Sequence, residues 1–136
     1  MENEKEASPN QAQAHILVVE DDAFMSGLLN RKLSQENFKI STTTNVDEAR
    51  NILEKESVSL ILLDVVLPGT DGITFLTELK KNPKHKGIPI IITSNLGQEE
   101  EIERGLQEGA ADYLVKANTT PGEITDKVKE ILEKNK

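Results

Sequence analysis

Residues 59–72 read SLILLDVVLPGTDG. Four apolar residues, Leu60 to Leu63, run without alternation into Asp64, and a proline, two glycines and a second aspartate follow. A short unbroken apolar run is the pattern of a strand covered on both faces. The proline and glycines after it read as turn chemistry, and Asp71 as the start of the next helix. The same kind of run recurs on either side: HILVVE (15–20), IPIIITS (88–94) and ADYLVK (111–116). FKIST (38–42) is weaker and alternates, which suits an edge strand.

Helical patterns with start and stop signals fill the intervals. Asp22 precedes a stripe of Met25, Leu28, Leu29 and Leu33. Asn45 with Glu48 three residues on is a capping-box pattern ahead of Ala49, Ile52 and Leu53. Asp71 leads into Ile73, Leu76 and Leu79. Gln98 to Glu108 keeps Ile102 and Leu106 on one side and stops at Gly109. Thr120, Pro121 and Glu123 form a second box before Ile124, Val128, Ile131 and Leu132. Five strand–helix units predict an α/β domain, a parallel sheet wound on both faces by helices. No internal repeat accompanies the rhythm.

The 136 residues make one domain of a size that buries roughly two-thirds of its unfolded surface. Met1 to Ala14 (MENEKEASPNQAQA) has no apolar periodicity and is expected to be a flexible tail (1–14), leaving 15–136 as the domain. There is no cysteine, so disulfides and thiolate zinc sites are excluded. No apolar run approaches the ~18 residues of a membrane span, so a soluble, cytoplasmic chain is expected. The 16 basic and 24 acidic residues give a net charge of −8, and no basic cluster offers a surface for nucleic acid.

Sites in open parallel sheets form where the carboxyl ends of the strands meet their loops. Four of the five runs end there in a reactive group: Glu20 and Asp21, then Asp64, then Ser94, then Lys116. Three converging carboxylates repel by a few kcal/mol per pair at an effective dielectric of about 20. Either one holds a proton or a cation sits among them. A donor set of oxygens, with neither Cys nor His, favours a hard ion. Mg²⁺ suits best, with Mn²⁺ as its substitute, because it is satisfied by one or two carboxylates, water and a phosphate. Lys116 adds one positive charge, too little for three acids. In such a setting Asp64 is able to act as a nucleophile towards phosphorus.

Four segments together carry a family resemblance: ILVVEDD, LILLDVVLPGTDG, PIIITSN and GAADYLVK. From His15 onward, about nine-tenths of the chain, the sequence resembles the response-regulator receiver domain of two-component signalling, in its stand-alone form. That resemblance implies a flavodoxin-like sheet of order 2-1-3-4-5. It implies an acidic pair at Glu20 and Asp21, a phosphorylated Asp64, an essential Lys116, and the Val66 backbone carbonyl as a further metal ligand. The 30 positions from Asp64 to Ser94 and 22 from Ser94 to Lys116 match the register usual in that family, so the resemblance implies Ser94, not adjacent Thr93, as the switch hydroxyl. Thr93 is then expected on the opposite face of its strand. The switch aromatic falls on Tyr113. A sensor histidine kinase or histidine phosphotransfer protein is the implied phosphodonor partner. Because the sequence ends at Lys136, output is expected through a downstream protein or a phosphorylation-dependent homodimer.

Two departures from the family pattern carry consequences. Ala117 stands where proline usually follows the lysine, so a cis bond there would cost about 3 kcal/mol, and either a trans bond or a strained cis one is expected. Val66 and Leu96, which flank the acyl phosphate in this family, are both apolar and are expected to exclude water and prolong the phospho-form. Several residues have plainer roles: Asp22 as a cap, Glu99, Glu100, Glu101 and Glu103 as a solvated helix face, His15 and His85 as bystanders. The chief rival function is a receiver-like scaffold that takes no phosphate. A phosphatase of the dehalogenase type would place two aspartates one residue apart after the first strand. A flavin-binding protein would want a Ser/Thr/Gly-rich loop where EDDAFMSG stands.

Overall fold

The computed structural model describes residues 13–67 and 69–135. Most of the expected tail, and Pro68 of the expected turn, lie outside the described residues. The elements run β1 (His15–Val19), α1 (Ala23–Ser34), β2 (Lys39–Thr43), α2 (Val46–Lys55), β3 (Leu60–Leu63), α3 (Gly72–Lys81), β4 (Ile90–Ser94), α4 (Glu99–Gln107), β5 (Asp112–Val115) and α5 (Pro121–Lys134). A two-residue antiparallel hairpin, Val66–Leu67 with Thr70–Asp71, lies between β3 and α3 outside the sheet. The five strands form one parallel sheet of order 2-1-3-4-5.

Alternation along the strands splits the core in two. Leu17, Val19, Ile61, Leu63, Ile90 and Ile92 pack with Ala49 and Leu53 of α2 and Ile73, Phe75, Leu76 and Leu79 of α3. Ile16, Val18, Leu60, Leu62 and Ile91 face the other way, onto Leu29 and Leu33 of α1 and Ile124, Val128 and Ile131 of α5. Each buried Leu or Ile contributes about 1.5–3 kcal/mol, which fixes the register, since a one-residue slip would turn both sets over. β2 is one edge of the sheet and its least buried strand, as its alternation predicts.

Helix starts follow the cap residues. Asp22 Oδ1 accepts from the amides of Phe24 (2.9 Å) and Met25 (3.2 Å), which gives that acid its capping role. Asp71 caps α3 through the Ile73 amide at 3.1 Å. Thr120 and Glu123 close a reciprocal box, 2.8 and 3.1 Å. At α2 the expected box is half-formed: Asn45 accepts from the Glu48 amide, but the Glu48 carboxylate turns to the Thr44 amide at 2.8 Å.

Three expectations need correction. β4 begins at Ile90, because Pro89 has no amide to donate to a ladder. In α4 Ile102 packs on the core as expected, but the buried position is Gly105 and Leu106, expected on the same side as Ile102, is 43% exposed. Gly72 serves close approach more than turning: a Cβ there would lie within van der Waals overlap of Val65 Cα.

Candidate functional site

Parallel pairing of β1 with β3 brings their ends side by side, and the Asp64 amide donates to Val19 O at 3.0 Å. Glu20 and Asp64 are therefore buried neighbours, 2% and 5% exposed, while Asp21 lies at the surface. One carboxylate oxygen from each of Glu20, Asp21 and Asp64 lies within 4.8 Å of the others. In an octahedral Mg²⁺ shell of about 2.1 Å bonds, ligands sit roughly 3 to 4.2 Å apart. Three oxygens within 4.8 Å of one another would have to draw together to reach that spacing around an ion. Among the described residues it is the one cluster of three metal-ligating side chains.

Lys116 follows β5 at the start of a short 3-10 turn, Lys116–Asn118, and reaches across the sheet end. Its Nζ is 2.5 Å from Glu20 Oε1 and 2.9 Å from Asp64 Oδ2. Glu20 Oε2 accepts from the Asp22 amide at 3.1 Å, and Asp64 Oδ1 from the Val66 amide at 2.9 Å. Burial pushes the Glu20 carboxyl above its usual range, against the pull of Lys116 and the Asp22 amide. Burial also works against the Lys116 ammonium, but its bonds to Glu20 and Asp64 outweigh that and hold its pKa up. One ammonium between two acids leaves a net negative pocket open towards Asp21, which is where a cation or a phosphoryl group carried with one would be drawn. Among the described residues no peptide bond is cis, so Lys116–Ala117 is trans.

Ser94 is fully buried at the end of β4, and its Oγ accepts from the Leu96 amide at 3.1 Å. Since Ile92 faces α2 and α3 and Ile91 faces α1 and α5, alternation puts Ser94 on the Ile92 side and Thr93 opposite. Tyr113 lies on that same side, 8% exposed, and its hydroxyl donates to Leu96 O at 2.6 Å. The Leu96 backbone thus joins the two: its N–H meets Ser94 and its carbonyl meets Tyr113. The Tyr113 ring is turned inward, among the core residues of that face. Val66 and Leu96 stand exposed on the rim.

Gly105 and the Leu96 carbonyl were not singled out from sequence. A glycine inside a helical pattern was the available signal. His15 is a satisfied interior residue, donating from Nδ1 to Ser57 O at 2.9 Å with Nε2 2.7 Å from Ser41 Oγ. His85 is buried far from the rim among Leu53, Val58 and Ile88.

An open parallel sheet of this order with acids, hydroxyl and lysine on one rim defines a class of signalling domain. Residues 16–129 match the family model described as the response regulator receiver domain, and the chain belongs to that family. It is 40% identical over 121 residues to the phosphate regulon transcriptional regulatory protein PhoB of Rhizobium meliloti, a match covering 89% of this chain and 53% of that protein. The chain spans about half the length of the curated relatives it matches. A CheY-like receiver domain protein from Methanospirillum hungatei superposes with a TM-score of 0.83 at 25% identity, covering 91% of this chain and 97% of that one. A response regulator from Chloroflexus aurantiacus gives 0.83 at 29%, covering 90% and 99%. No helix among the described residues is long and apolar enough to cross a membrane.

Proposed function

We propose that the chain is a phosphorylation-dependent signalling switch in which Asp64 accepts a phosphoryl group. The observation that carries the reading is the shared spacing of Glu20, Asp21 and Asp64 with Lys116 between two of them. An Asp64 carboxylate oxygen attacks phosphorus while the donor bond breaks: P–N in a phosphohistidine of a sensor kinase or phosphotransfer protein, P–O in acetyl phosphate. The leaving group keeps the bonding electrons, and the new bond is an acyl phosphate on Asp64. Glu20, Asp21, Asp64 and the Val66 carbonyl would hold Mg²⁺, or Mn²⁺, which when bound neutralises charge on the transferring group. Lys116 supplies a fixed cation to a phosphoryl oxygen, and the Ser94 hydroxyl donates to another.

Donation by Ser94 draws on the hydroxyl that now faces the Leu96 amide, so phosphorylation bears on the peptide that Tyr113 holds. The surface of α4, β5 and α5 is then what a downstream partner, or a second copy, reads. The chain assists its own phosphorylation and slow dephosphorylation without turning over a substrate, in a cytoplasmic setting. Residues 15–136 are the receiver unit and 1–14 a tail. A receiver-like scaffold is the alternative. Mg²⁺ with BeF₃⁻, a phosphoryl mimic, separates the two by amide chemical shifts. A switch moves resonances of α4, β5 and α5 in wild type, less in Ser94→Ala and not in Asp64→Asn. A scaffold shows no response that depends on Asp64.

A further inference from the structure

Gly105 lies within α4, a helix of nine residues. Glycine in a helix interior is disfavoured roughly fivefold against alanine, so a packing reason is to be sought. A Cβ on Gly105 would come 2.7 Å from Ile92 Cδ1 and 3.0 Å from Tyr113 Cδ2. Real Cβ atoms essentially never come within 3.0 Å of a neighbour, so the fully buried Ile92 methyl must shift and the ring must give by a few tenths of an ångström. The ring and the Ile92 Cδ1 methyl together fill the volume an alanine side chain would need. The ring's outer end is pinned by the 2.6 Å bond to Leu96 O. Beside it a cavity of about 110 Å³, lined by Val65, Ile73, Leu96 and Arg104 among others, gives the ring space to leave.

We propose that Gly105 is the positioning residue for Tyr113: its missing side chain makes the seat in which the ring lies inward before any phosphoryl group arrives. The inference rests on reading Tyr113 as the switch aromatic. It deepens that reading, because the inward state is then held by packing, and phosphorylation strengthens a population already present instead of creating it. The helix face above the ring and the rim at Leu96 are coupled through one side chain. Growing a methyl group on α4 expels the ring without touching Asp64, Glu20 or Lys116.

The test uses the full chain without phosphate. Tyr113 is the only tyrosine and there is no tryptophan, so iodide quenching of tyrosine fluorescence and phenol titration report this ring alone. Burial raises the wild-type phenol above the usual tyrosine range. In Gly105→Ala the inward-to-outward ratio falls about tenfold or more, the ordinary result of overpacking a tight site. Quenching then rises and the phenol titrates nearer its usual value. Adding Ile92→Val removes the Cδ1 methyl and restores shielding in the double variant. Gly27→Ala, in α1 with nothing within 4 Å of its added Cβ, leaves the ring as in wild type.

A Gly105→Ala ring as shielded as wild type overturns the proposal. If far-ultraviolet circular dichroism shows that variant unfolded, the double variant decides: a shielded ring upholds the seat, and an exposed ring or a second unfolded chain overturns it. Phosphate incorporation at Asp64 of the wild-type chain is the separate readout for the phospho-acceptor reading. Its absence would sink that reading while leaving the ring's seat to be judged by quenching.

Discussion

Val66 and Leu96 show how much two side chains decide about timing. Both are exposed and apolar, and on the proposed reading they stand where a polar side chain would hold a water in line with phosphorus. Neither offers a donor or acceptor beyond its backbone. An acyl phosphate on Asp64 should therefore persist well beyond seconds in the purified chain, and polar replacement of either side chain should shorten it. Timed intact-mass spectra after removal of the phosphodonor check this, and loss within seconds in wild type would contradict it. The adjacent acids follow the opposite logic. Glu20 and Asp64 are buried and share one ammonium, so their placement costs free energy that a cation or a phosphoryl group and its counterion can relieve.

At the scale of elements, α3 is set by one close approach and one ion pair. Gly72 packs its backbone on Val65, with the Gly72 amide on Val65 O at 3.0 Å. The Cβ of Gly72→Ala would meet backbone, which cannot swing aside as a side chain can. A loss of about 3 kcal/mol is expected by urea denaturation, together with weaker phosphorylation as the segment after Asp64 shifts. A loss under about 0.5 kcal/mol would show that the helix start relaxes freely. Arg50 of α2 grips Glu78 of α3 through two bonds, 2.8 and 2.7 Å, and lies over the Phe75 ring at 5.6 Å. The Arg50 hydrogen bond holds Glu78 below the usual carboxylate range. Its contribution is therefore present above the ordinary Glu pKa and is lost as pH falls through the lowered one. Glu78→Gln should cost under about 1 kcal/mol at neutral pH, since the pair is half-exposed, and flatten the acid limb of stability against pH. An unchanged acid limb would remove the pair from the account.

The elements also show what the residues alone could tell. Unbroken apolar runs ending in Glu20, Asp64, Ser94 and Lys116 were enough for a parallel sheet and its reactive rim, because burial on both faces leaves no other use for such strands. On the inward side of α4, Ile102 was legible and Gly105 was not. Ile102 and Leu106 satisfy helical periodicity, yet the space over Ile92 is taken by a ring from β5, so only Gly105 fits there. The Lys116–Ala117 bond was open for a related reason: with proline absent, local chemistry prefers trans, and only the loop's course decides. Tyr113 could be placed on the correct face from alternation. Its inward seat depends on a partner helix brought in by tertiary packing.

For the molecule as a whole, the claim is that the acidic end of the sheet is a phosphoryl acceptor with a response built into α4, β5 and α5. Fold and family membership are shared with receiver domains, including those of longer transcriptional regulators. The most direct measurement is intact mass after acetyl phosphate with Mg²⁺, for wild type and Asp64→Asn, with and without a chelator. The account predicts one added phosphate in wild type, none in Asp64→Asn, and none once the divalent ion is removed. Equal phosphate on both proteins, or none on wild type with Mg²⁺ present, would contradict it.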